Sequence, residues 1–340
     1  MRPDRGPSHR GAAKPAGQRA GSAATGAELG RRLRERDVGA APAVLNLVES
    51  RTPAGRAETE ALLRAVSVAA LGGEAPGHVV GVTGPPGSGK STLLGELVRA
   101  WRADGRTVAV LAIDPSSRRS GGALLGDRAR IPFDPADRGT FIRSTAAAGR
   151  LGGLAPATRA AAQALAAAFD VVVVETVGVG QSETEVAETA DTVAVAVQPG
   201  AGDVLQFLKA GIMEIPDVLV VTKADLGEAA LRARRDLTAA LRSVGARATP
   251  VVAVSALPPA SGIDALVDAL DAHRAALDVP ARRLAARRAN AVADFAAEHG
   301  ERGLRALGGA RATRRRLEEA DPAADVPALV AALEAEAGVR

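Results

Sequence analysis

The chain has 340 residues, of which 47% are hydrophobic, so it can bury a substantial core. It contains no Cys, which excludes disulfides, zinc–thiolate sites, iron–sulfur clusters and cysteine nucleophiles. Its four His argue against an imidazole-rich metal site, and an aromatic content of 2% argues against a stacking platform for single-stranded nucleic acid. No apolar run reaches the roughly 18 residues that a membrane helix needs, so we expect no membrane span.

The charge balance is mildly basic, because 43 Lys and Arg against 39 Asp and Glu give a formal net charge of +4. Only four of the basic residues are Lys, at positions 14, 90, 209 and 223. Arg in place of Lys, beside abundant Ala and Gly, indicates a coding bias toward GC-rich codons. We prefer this interpretation to a nucleic-acid-binding surface. A DNA-binding protein stays as an alternative, which a steep salt dependence of binding would support.

Four segments follow one another along the chain. Residues 1–28 hold hardly any large apolar side chain, which predicts a disordered extension of a cytoplasmic bacterial protein rather than a secretory or mitochondrial leader. Residues 29–72 space their apolar side chains as helices do and predict a helical hairpin. Residues 73–278 alternate short apolar runs with helical stretches. Residues 279–340 predict a C-terminal helical extension.

The alternation in the central segment predicts an α/β fold with a doubly wound, mostly parallel sheet. One run, Val171–Val174, is apolar on both faces, as expected for a strand between two helix layers. Right-handed crossovers place the ligand crevice at the carboxyl ends of the strands. The predicted strands are His78–Thr83, Thr107–Ile113, Val171–Val174, Thr192–Val197, Val218–Thr222 and Pro250–Val254. The predicted helices between them include Ser91–Ala103, Pro156–Phe169, Asp203–Met213 and Glu228–Val244.

The first predicted strand runs into G-P-P-G-S-G-K-S, which fits the phosphate-loop pattern G-x-x-x-x-G-K-[ST] and is followed by an apolar helix. The three glycines let the backbone turn its N–H groups toward phosphate oxygens, and the helix N-terminus adds partial positive charge. Lys90 supplies a charge to the β and γ phosphates, and the Ser91 hydroxyl supplies a ligand for Mg²⁺. The fold is therefore predicted to be a P-loop NTPase. The nucleotide residues in this loop are Gly84, Gly87, Ser88, Gly89, Lys90, Ser91 and Thr92.

Base recognition is predicted at the ends of two later strands. Asp225, in the string T-K-A-D, can accept hydrogen bonds from the guanine N1–H and exocyclic amine, a donor pair that adenine lacks. The Lys223 stem can cover the base, and Ser255-Ala256 can offer a backbone N–H to guanine O6. These strings resemble the N-K-x-D and S-A elements of GTPases, except that Thr222 replaces Asn. GTP is favoured over ATP, with weaker guanine specificity expected from Thr222.

Carboxylates near the same strand ends predict the metal and hydrolysis elements. Asp114 follows the second predicted strand, Asp127 lies in the adjoining polar stretch, and Glu175 ends the buried strand. Either Gln181 or Glu183 can orient the attacking water, and an arginine finger can come from this chain or from another. Mg²⁺ prefers oxygen ligands, and the candidates for it are Ser91, Asp114 and Glu175.

Longer strings extend the pattern beyond the phosphate loop. They are G-P-P-G-S-G-K-S-T (84–92), D-P-S-S-R-R-S-G-G (114–122), L-G-D-R (125–128), R-L-G-G-L (150–154), F-D-V-V-V-V-E-T-V-G-V-G-Q-S-E (169–183) and Q-P-G-A-G-D-V-L-Q-F-L-K-A-G-I-M-E (198–214). Together they resemble the MeaB/ArgK family of methylmalonyl-CoA mutase-associated GTPases, over about residues 40–260. The sequence departs from the family at Thr222 and at 128–131, where R-A-R-I replaces K-T-R-M.

The resemblance implies a slow GTPase that acts as a chaperone for an adenosylcobalamin-dependent acyl-CoA mutase, gating cofactor loading and protecting the mutase. It also implies a homodimer whose C-terminal helices contribute to the interface. The loop 198–211, with Lys209, would be a further switch that senses the partner. By motif match the expected nucleotide and Mg²⁺ residues are Lys90, Ser91, Asp114, Asp127 and Glu175. The expected catalytic group consists of Lys90, Asp127, Glu175 and Gln181.

Two other enzyme classes stay open at this point. A P-loop kinase would transfer phosphate to an acceptor, whereas a GTPase releases inorganic phosphate, and no acceptor pocket is evident in the sequence. A metal-insertion GTPase of the nickel-enzyme type would carry clustered Cys and His ligands, and this chain has no Cys.

Overall fold

The structure of the chain is a computed structural model that describes residues 24–114, 131–146, 154–176, 182–200 and 216–339. Its centre is a sheet of seven strands in the order β3-β2-β4-β1-β5-β6-β7, in which every described strand pair is parallel. The predicted doubly wound α/β fold is confirmed. The strands are β1 His78–Thr83, β2 Val108–Asp114, β3 Thr140–Ala146, β4 Val171–Glu175, β5 Thr192–Val197, β6 Val218–Val221 and β7 Val251–Ala253.

Helices flank the sheet and continue beyond it at both ends of the chain. They are α1 Gly26–Arg34, α2 Ala41–Val48, α3 Pro53–Ala65, α4 Val68–Leu71, α5 Lys90–Ala103, α6 Pro156–Leu165, α7 Ser182–Ala187, α8 Glu228–Ser243, α9 Ile263–Ala276, α10 Val279–Ala306, α11 Ala310–Glu318 and α12 Val326–Ala337. Short 3₁₀ turns lie at Val38–Ala40 and Ala224–Leu226. Among the described residues, no helix combines the length and apolarity of a bilayer span.

Strand β3 is absent from the sequence-based prediction. Its residues, T-F-I-R-S-T-A, mix polar and apolar side chains and carry no continuous apolar run. The strand pairs only with β2 and forms one edge of the sheet, so it is less buried than the central strands. Because hydrophobic runs signal strands buried on both faces, an edge strand of this kind gives a weak signal.

Alternate residues of β4 enter two separate apolar layers. Val172 and Val174 pack in the layer that holds α1–α3, α6, α7 and α8, while Val171 and Val173 pack in the layer that holds α5 and α9. All four side chains are at most 2% exposed, which explains the unbroken apolar run in the sequence. The two layers cover both faces of the sheet, so the ends of the strands stay open for a ligand.

The N-terminal helices begin earlier than the composition predicts. Thr25 caps α1, since its hydroxyl accepts a hydrogen bond from the Glu28 N–H at 3.2 Å, and the helix starts at Gly26. The predicted end of the disordered extension at residue 28 is therefore three residues late. Residues 1–23 lie outside the described part of the chain. Leu29 and Leu33 then join the first apolar layer, so this segment packs on the central domain.

The C-terminal helices form a third apolar cluster of their own. Phe295 of α10 is fully buried and packs in one cluster with Leu317 of α11 and Leu329 of α12. The long α10 is interrupted at Gly300, where φ is 61°. The predicted C-terminal helices are present.

Charged side chains attach α10 to the amino ends of the strands, opposite the predicted ligand edge. Arg283 donates to both carboxylate oxygens of Asp191 at 2.8 and 2.7 Å, and Asp191 also accepts from the Val79 N–H. Burial raises the pKa of Asp191, but the hydrogen bonds and charge of Arg283 outweigh burial and leave it below its usual value. The bidentate geometry makes this a specific anchor for α10.

His78 lies beside this anchor and is uncharged at neutral pH. Its ring is buried, and its Nε2 is 2.8 Å from the Thr192 hydroxyl. Burial lowers the pKa of His78 from 6.5 to about 4, an effect that Asp191 opposes and Arg274 reinforces. Between these two pH values the unfolded chain binds more protons at this residue than the folded chain does.

We therefore expect His78 to contribute to acid sensitivity. Its contribution is fully present above pH 6.5 and falls by about 3 kcal/mol as the pH drops toward 4. The His78→Gln variant keeps a hydrogen-bonding side chain but does not titrate, so its unfolding free energy should fall less over this range. Chemical denaturation of both proteins at pH 7 and pH 4 measures the difference, and parallel losses would contradict the assignment.

Candidate nucleotide-binding site

The loop between β1 and α5 folds as a phosphate loop requires. Gly84, Gly87 and Gly89 have φ values of 139°, 78° and 87°, a region that other residues adopt only with strain. At Gly84 the backbone also passes against β5, because a β-carbon there would stand 2.2 Å from the Ala196 carbonyl oxygen. Gly89 precedes α5 directly, so the first N–H groups of the helix open toward the loop.

Lys90 lies over this loop. Its side chain is 7% exposed, and its Nζ donates to the carbonyl oxygens of Gly84 at 2.7 Å and Pro85 at 3.2 Å. Ser88 is buried in the same turn, and its N–H donates to the Pro85 carbonyl. The ammonium group is thus held where backbone N–H groups and the helix N-terminus also concentrate positive charge.

Two of the three predicted metal ligands meet at the carboxyl end of β4. The Ser91 hydroxyl donates to the Glu175 carboxylate at 3.0 Å, and Glu175 is 5% exposed. A hydroxyl and a carboxylate at this distance suit Mg²⁺, which binds hard oxygen ligands and keeps positions for water and phosphate oxygens. The residues that the structure describes here therefore fit the predicted ion.

Asp114 ends β2 at the same edge. In the sheet register Ala112 pairs with Glu175, so Asp114 extends two residues beyond the end of β4. Its side chain lies outside the described residues, so its part in metal binding stays a prediction. The same holds for Asp127, Gln181 and Lys209, and for the side chain of Glu183, all of which fall on residues or side chains that are not described.

A pair of buried hydroxyls joins the two central strands beside the phosphate loop. Thr176 donates to the Thr83 hydroxyl at 2.7 Å, and the Thr176 N–H donates to the Val82 carbonyl. This contact holds the residue after Glu175 against the end of β1. Neither threonine was predicted as a site residue, because Thr83 ends an apolar strand and Thr176 stands in the string 169–183 with no assigned role.

Thr222 connects the base-recognition strand to the phosphate loop. It is buried, and its hydroxyl lies 2.7 Å from the Ser88 carbonyl oxygen and 3.2 Å from the Val197 carbonyl oxygen. Thr222, which stands where GTPases usually carry Asn, therefore forms a structural hydrogen bond within the site. This contact fixes the position of the phosphate loop relative to the end of β6.

The remaining base-recognition residues follow Thr222 closely. Ser255 donates to the Asp225 carboxylate at 2.9 Å, which orients it, while Asp225 itself is exposed at the edge of the sheet. Lys223 has a positive φ of 54° and donates to the Gln198 side-chain oxygen. Ala256, next to Ser255, is partly exposed. The predicted base residues thus form one rim at the carboxyl ends of β6 and β7, in which Asp225 is exposed and Ser255 is buried.

Comparison with known proteins also indicates a nucleotide-binding protein, because the matching family and relatives are described as GTPases. Residues 41–305 match the family described as "Methylmalonyl Co-A mutase-associated GTPase MeaB". A probable GTPase of Mycobacterium tuberculosis is 41% identical over 253 residues, which are 72% of this chain and 74% of that protein. A putative GTPase of Pyrococcus horikoshii is 48% identical over 199 residues, 58% of this chain and 60% of the relative, so the chain spans about three fifths of that protein.

The chain is also similar in fold and sequence to a protein of known structure. A crystal structure titled "LAO/AO transport system kinase" superposes with a TM-score of 0.60 at 29% sequence identity. The match covers 86% of this chain and 96% of the solved one. The two proteins therefore share their architecture over most of this chain.

The contact of the phosphate loop with β5 gives a matched pair of variants. We expect Gly84→Ala to lower the unfolding free energy by about 3 kcal/mol or more, since its methyl group would overlap the Ala196 carbonyl. Gly87→Ala, at φ 78° with no atom within 4 Å of the added carbon, should cost only about 1–2 kcal/mol of strain. Urea denaturation of both variants measures the order, and equal losses would contradict the steric argument.

Proposed function

The chain belongs to the family of methylmalonyl-CoA mutase-associated GTPases, and from that premise we propose that it binds GTP with Mg²⁺ and hydrolyses it to GDP and inorganic phosphate. One observation carries the proposal. The carboxyl ends of the strands carry the phosphate loop, the metal-ligand pair and the base-recognition rim. The Thr222 hydroxyl connects the phosphate loop to the base-recognition rim.

The geometry supports phosphoryl transfer by positioning and charge rather than by a covalent intermediate. Lys90 and the N-terminus of α5 would neutralise the phosphate oxygens, while the glycine turn aims backbone N–H groups at them. Ser91 and Glu175 would hold Mg²⁺, which supplies charge compensation to the phosphates when bound. Asp127 and Gln181 remain the proposed hydrolysis residues from the sequence, with Glu183 as the alternative for orienting water.

Guanine is the proposed base, because Asp225 presents a carboxylate at the exposed rim. Guanine offers it two donors, whereas adenine would leave the carboxylate without them. The Ser255 hydroxyl holds one carboxylate oxygen, Oδ1, at 2.9 Å and so limits rotation of the side chain. The second oxygen stays available to the base.

We also propose the finer assignments that family membership favours. The partner is an adenosylcobalamin-dependent acyl-CoA mutase, for which the chain acts as a chaperone of cofactor loading and protection in the bacterial cytoplasm. The active form is a homodimer to which α10–α12 contribute. These assignments rest on the family and on the strings that resemble it.

Base recognition can be tested by replacing one carboxylate oxygen of Asp225 with an amide nitrogen. Asp225→Asn should lower the affinity for GTP at least about 100-fold, because the amide nitrogen opposes the donors of guanine. It should raise the affinity for xanthosine triphosphate, whose C2 carbonyl accepts from that amide. Isothermal calorimetry with both nucleotides measures this exchange. Asp236→Asn, on the exposed face of α8, is the control and should bind GTP as the wild type does; an unchanged preference in Asp225→Asn would contradict the proposed base site.

The proposed partner should stimulate GTP hydrolysis by this chain. GTP turnover, followed as released inorganic phosphate, should rise when the cognate acyl-CoA mutase is added, and Lys90→Ala should abolish the turnover with and without the mutase. Loading of adenosylcobalamin onto the mutase should depend on the nucleotide. Unchanged turnover and unchanged loading would contradict the chaperone role but leave the GTPase assignment intact, and transfer of labelled phosphate to an acceptor would indicate a kinase instead.

A further inference from the structure

Three side chains that can bind a metal ion converge between α10 and α12. Glu298 and His299 are neighbours in α10, and Glu334 lies in α12. A ring nitrogen of the His and one carboxylate oxygen of each Glu all lie within 4.8 Å of one another. The Nε2 of His299 is 2.8 Å from the Oε1 of Glu334. In the described part of the chain, no other group of three His, Asp or Glu side chains brings its ligand atoms together in this way.

The imidazole of His299 is held in place by its own helix. Its ring centroid lies 4.8 Å from that of Phe295, which is fully buried in the third apolar cluster. The Cβ of His299 lies against Gly303, where an added β-carbon would stand 2.5 Å from it. The His299 side chain is only 15% exposed. Because packing already orders the ring, binding an ion costs little further side-chain entropy.

Arg56 places Glu298 beside the other two side chains. This arginine belongs to α3, and its Nη1 donates to the Oε1 of Glu298 at 2.8 Å. Both side chains are at least half exposed, so the ion pair is weak and competes little with a metal ion. A carboxylate can also bind an ion through one oxygen and accept a hydrogen bond at the other. The three candidate ligands thus lie where α3, α10 and α12 meet.

The charges around these ligands favour a cation. The side chain of Glu334 has the His299 ring as its only hydrogen-bond partner among the described residues, and an uncharged imidazole does not neutralise it. The first part of α10 ends at Gly300, where φ is 61°, so the partial negative charge of a helix C-terminus collects beside the ring. Two carboxylates therefore face one guanidinium group, that of Arg56, and a bound cation would balance them.

The ligand set selects the class of ion. Mg²⁺ and Ca²⁺ bind mainly oxygen ligands, so an imidazole nitrogen disfavours them. Zn²⁺ binds His nitrogen and carboxylate oxygen at about 2.0–2.2 Å, and with three protein ligands it takes water in the fourth tetrahedral position. Ligand atoms around such an ion stand roughly 3.3 Å apart. The pair of His299 and Glu334 would therefore open slightly, and Glu298 would move slightly closer.

We propose that Glu298, His299 and Glu334 form a binding site for a divalent transition ion of the zinc class, which joins α12 to α10. The ion replaces the hydrogen bond between His299 and Glu334 with a metal bond to each, and so stabilises the packing of the C-terminal helices. This site shares no residue with the proposed Mg²⁺ site at Ser91 and Glu175. Ion binding here does not require GTP.

Binding of Zn²⁺ to the full-length protein tests the site. Equilibrium dialysis is carried out with Zn²⁺ at micromolar concentration and a large excess of Mg²⁺, which keeps sites made of oxygen ligands occupied. The wild type should bind one equivalent of Zn²⁺. His299→Gln and Glu334→Gln keep a hydrogen-bonding side chain of similar size but remove an imidazole and a charge. Each should lower the affinity at least about 100-fold, the most that loss of an outer-shell partner costs.

Each of these variants has a matched control. His273→Gln removes an imidazole that also lies near a carboxylate, that of Asp217 at 3.3 Å, but that belongs to no group of three ligands within the described ranges. Glu336→Gln neutralises another carboxylate of α12, one that pairs with Arg316. Both control variants should bind Zn²⁺ as the wild type does.

Hydrogen exchange measures whether the ion joins the two helices. At a free Zn²⁺ concentration ten times the dissociation constant, amides of α12 should exchange about tenfold more slowly in the wild type, because opening must release the ion. Glu334→Gln should show no slowing at the same concentration. Urea denaturation without Zn²⁺ checks that each variant is folded, and Glu298→Gln replaces either ligand variant if that variant is not.

Three results would overturn the site: no Zn²⁺ binding by the wild type, full binding by both His299→Gln and Glu334→Gln, or equal losses of affinity in the two controls. Bound Zn²⁺ that leaves the exchange of α12 unchanged would overturn its role in joining the helices. None of these results bears on the GTPase assignment, which calorimetry with the two nucleotides tests separately.

Discussion

The nucleotide site depends on one backbone turn, between β1 and α5, that passes directly against β5. Only glycine fits at position 84, where φ is 139° and the neighbouring carbonyl oxygen would stand 2.2 Å from a side chain. Because the turn can follow this path, Lys90 and Ser91 begin their helix at the edge of the sheet and reach the end of β4. The Thr222 hydroxyl then donates to the Ser88 carbonyl and so links the phosphate loop to the base-recognition residues that follow β6.

The carboxyl ends and the amino ends of the strands carry different parts of this molecule. The carboxyl edge holds the loops and carboxylates of the nucleotide site, as expected for parallel strands with crossover helices. The amino edge holds the Asp191–Arg283 pair, which anchors α10. Arg159 lies on one flank, where α6, α7 and α10 meet. The C-terminal helices are thus fastened at the amino ends of the strands by Arg283 and on this flank by the pair of Arg159 and Asp294.

Much of the architecture was predictable because its signals are local. The phosphate-loop string needs only its own glycines, a preceding strand and a following helix, and β1 and β5 have the predicted bounds. Strand β3 was missed, since an edge strand with polar side chains lacks an apolar run. The roles of Arg159 and Arg283 were equally hidden. In a chain whose basic residues are nearly all Arg, no single Arg stands out by its type.

The sequence by itself determined the family, the alternation of strands and helices apart from β3, and the candidate residues for phosphate, metal and base. These follow from residue type and short spacing, which local backbone geometry enforces. Only the tertiary structure decided that Thr222 reaches Ser88, that Thr83 meets Thr176, and that Arg159 joins α6 to α10. Such contacts join residues that are far apart in sequence, and they form because a buried polar group has to find its hydrogen-bond partners inside the protein.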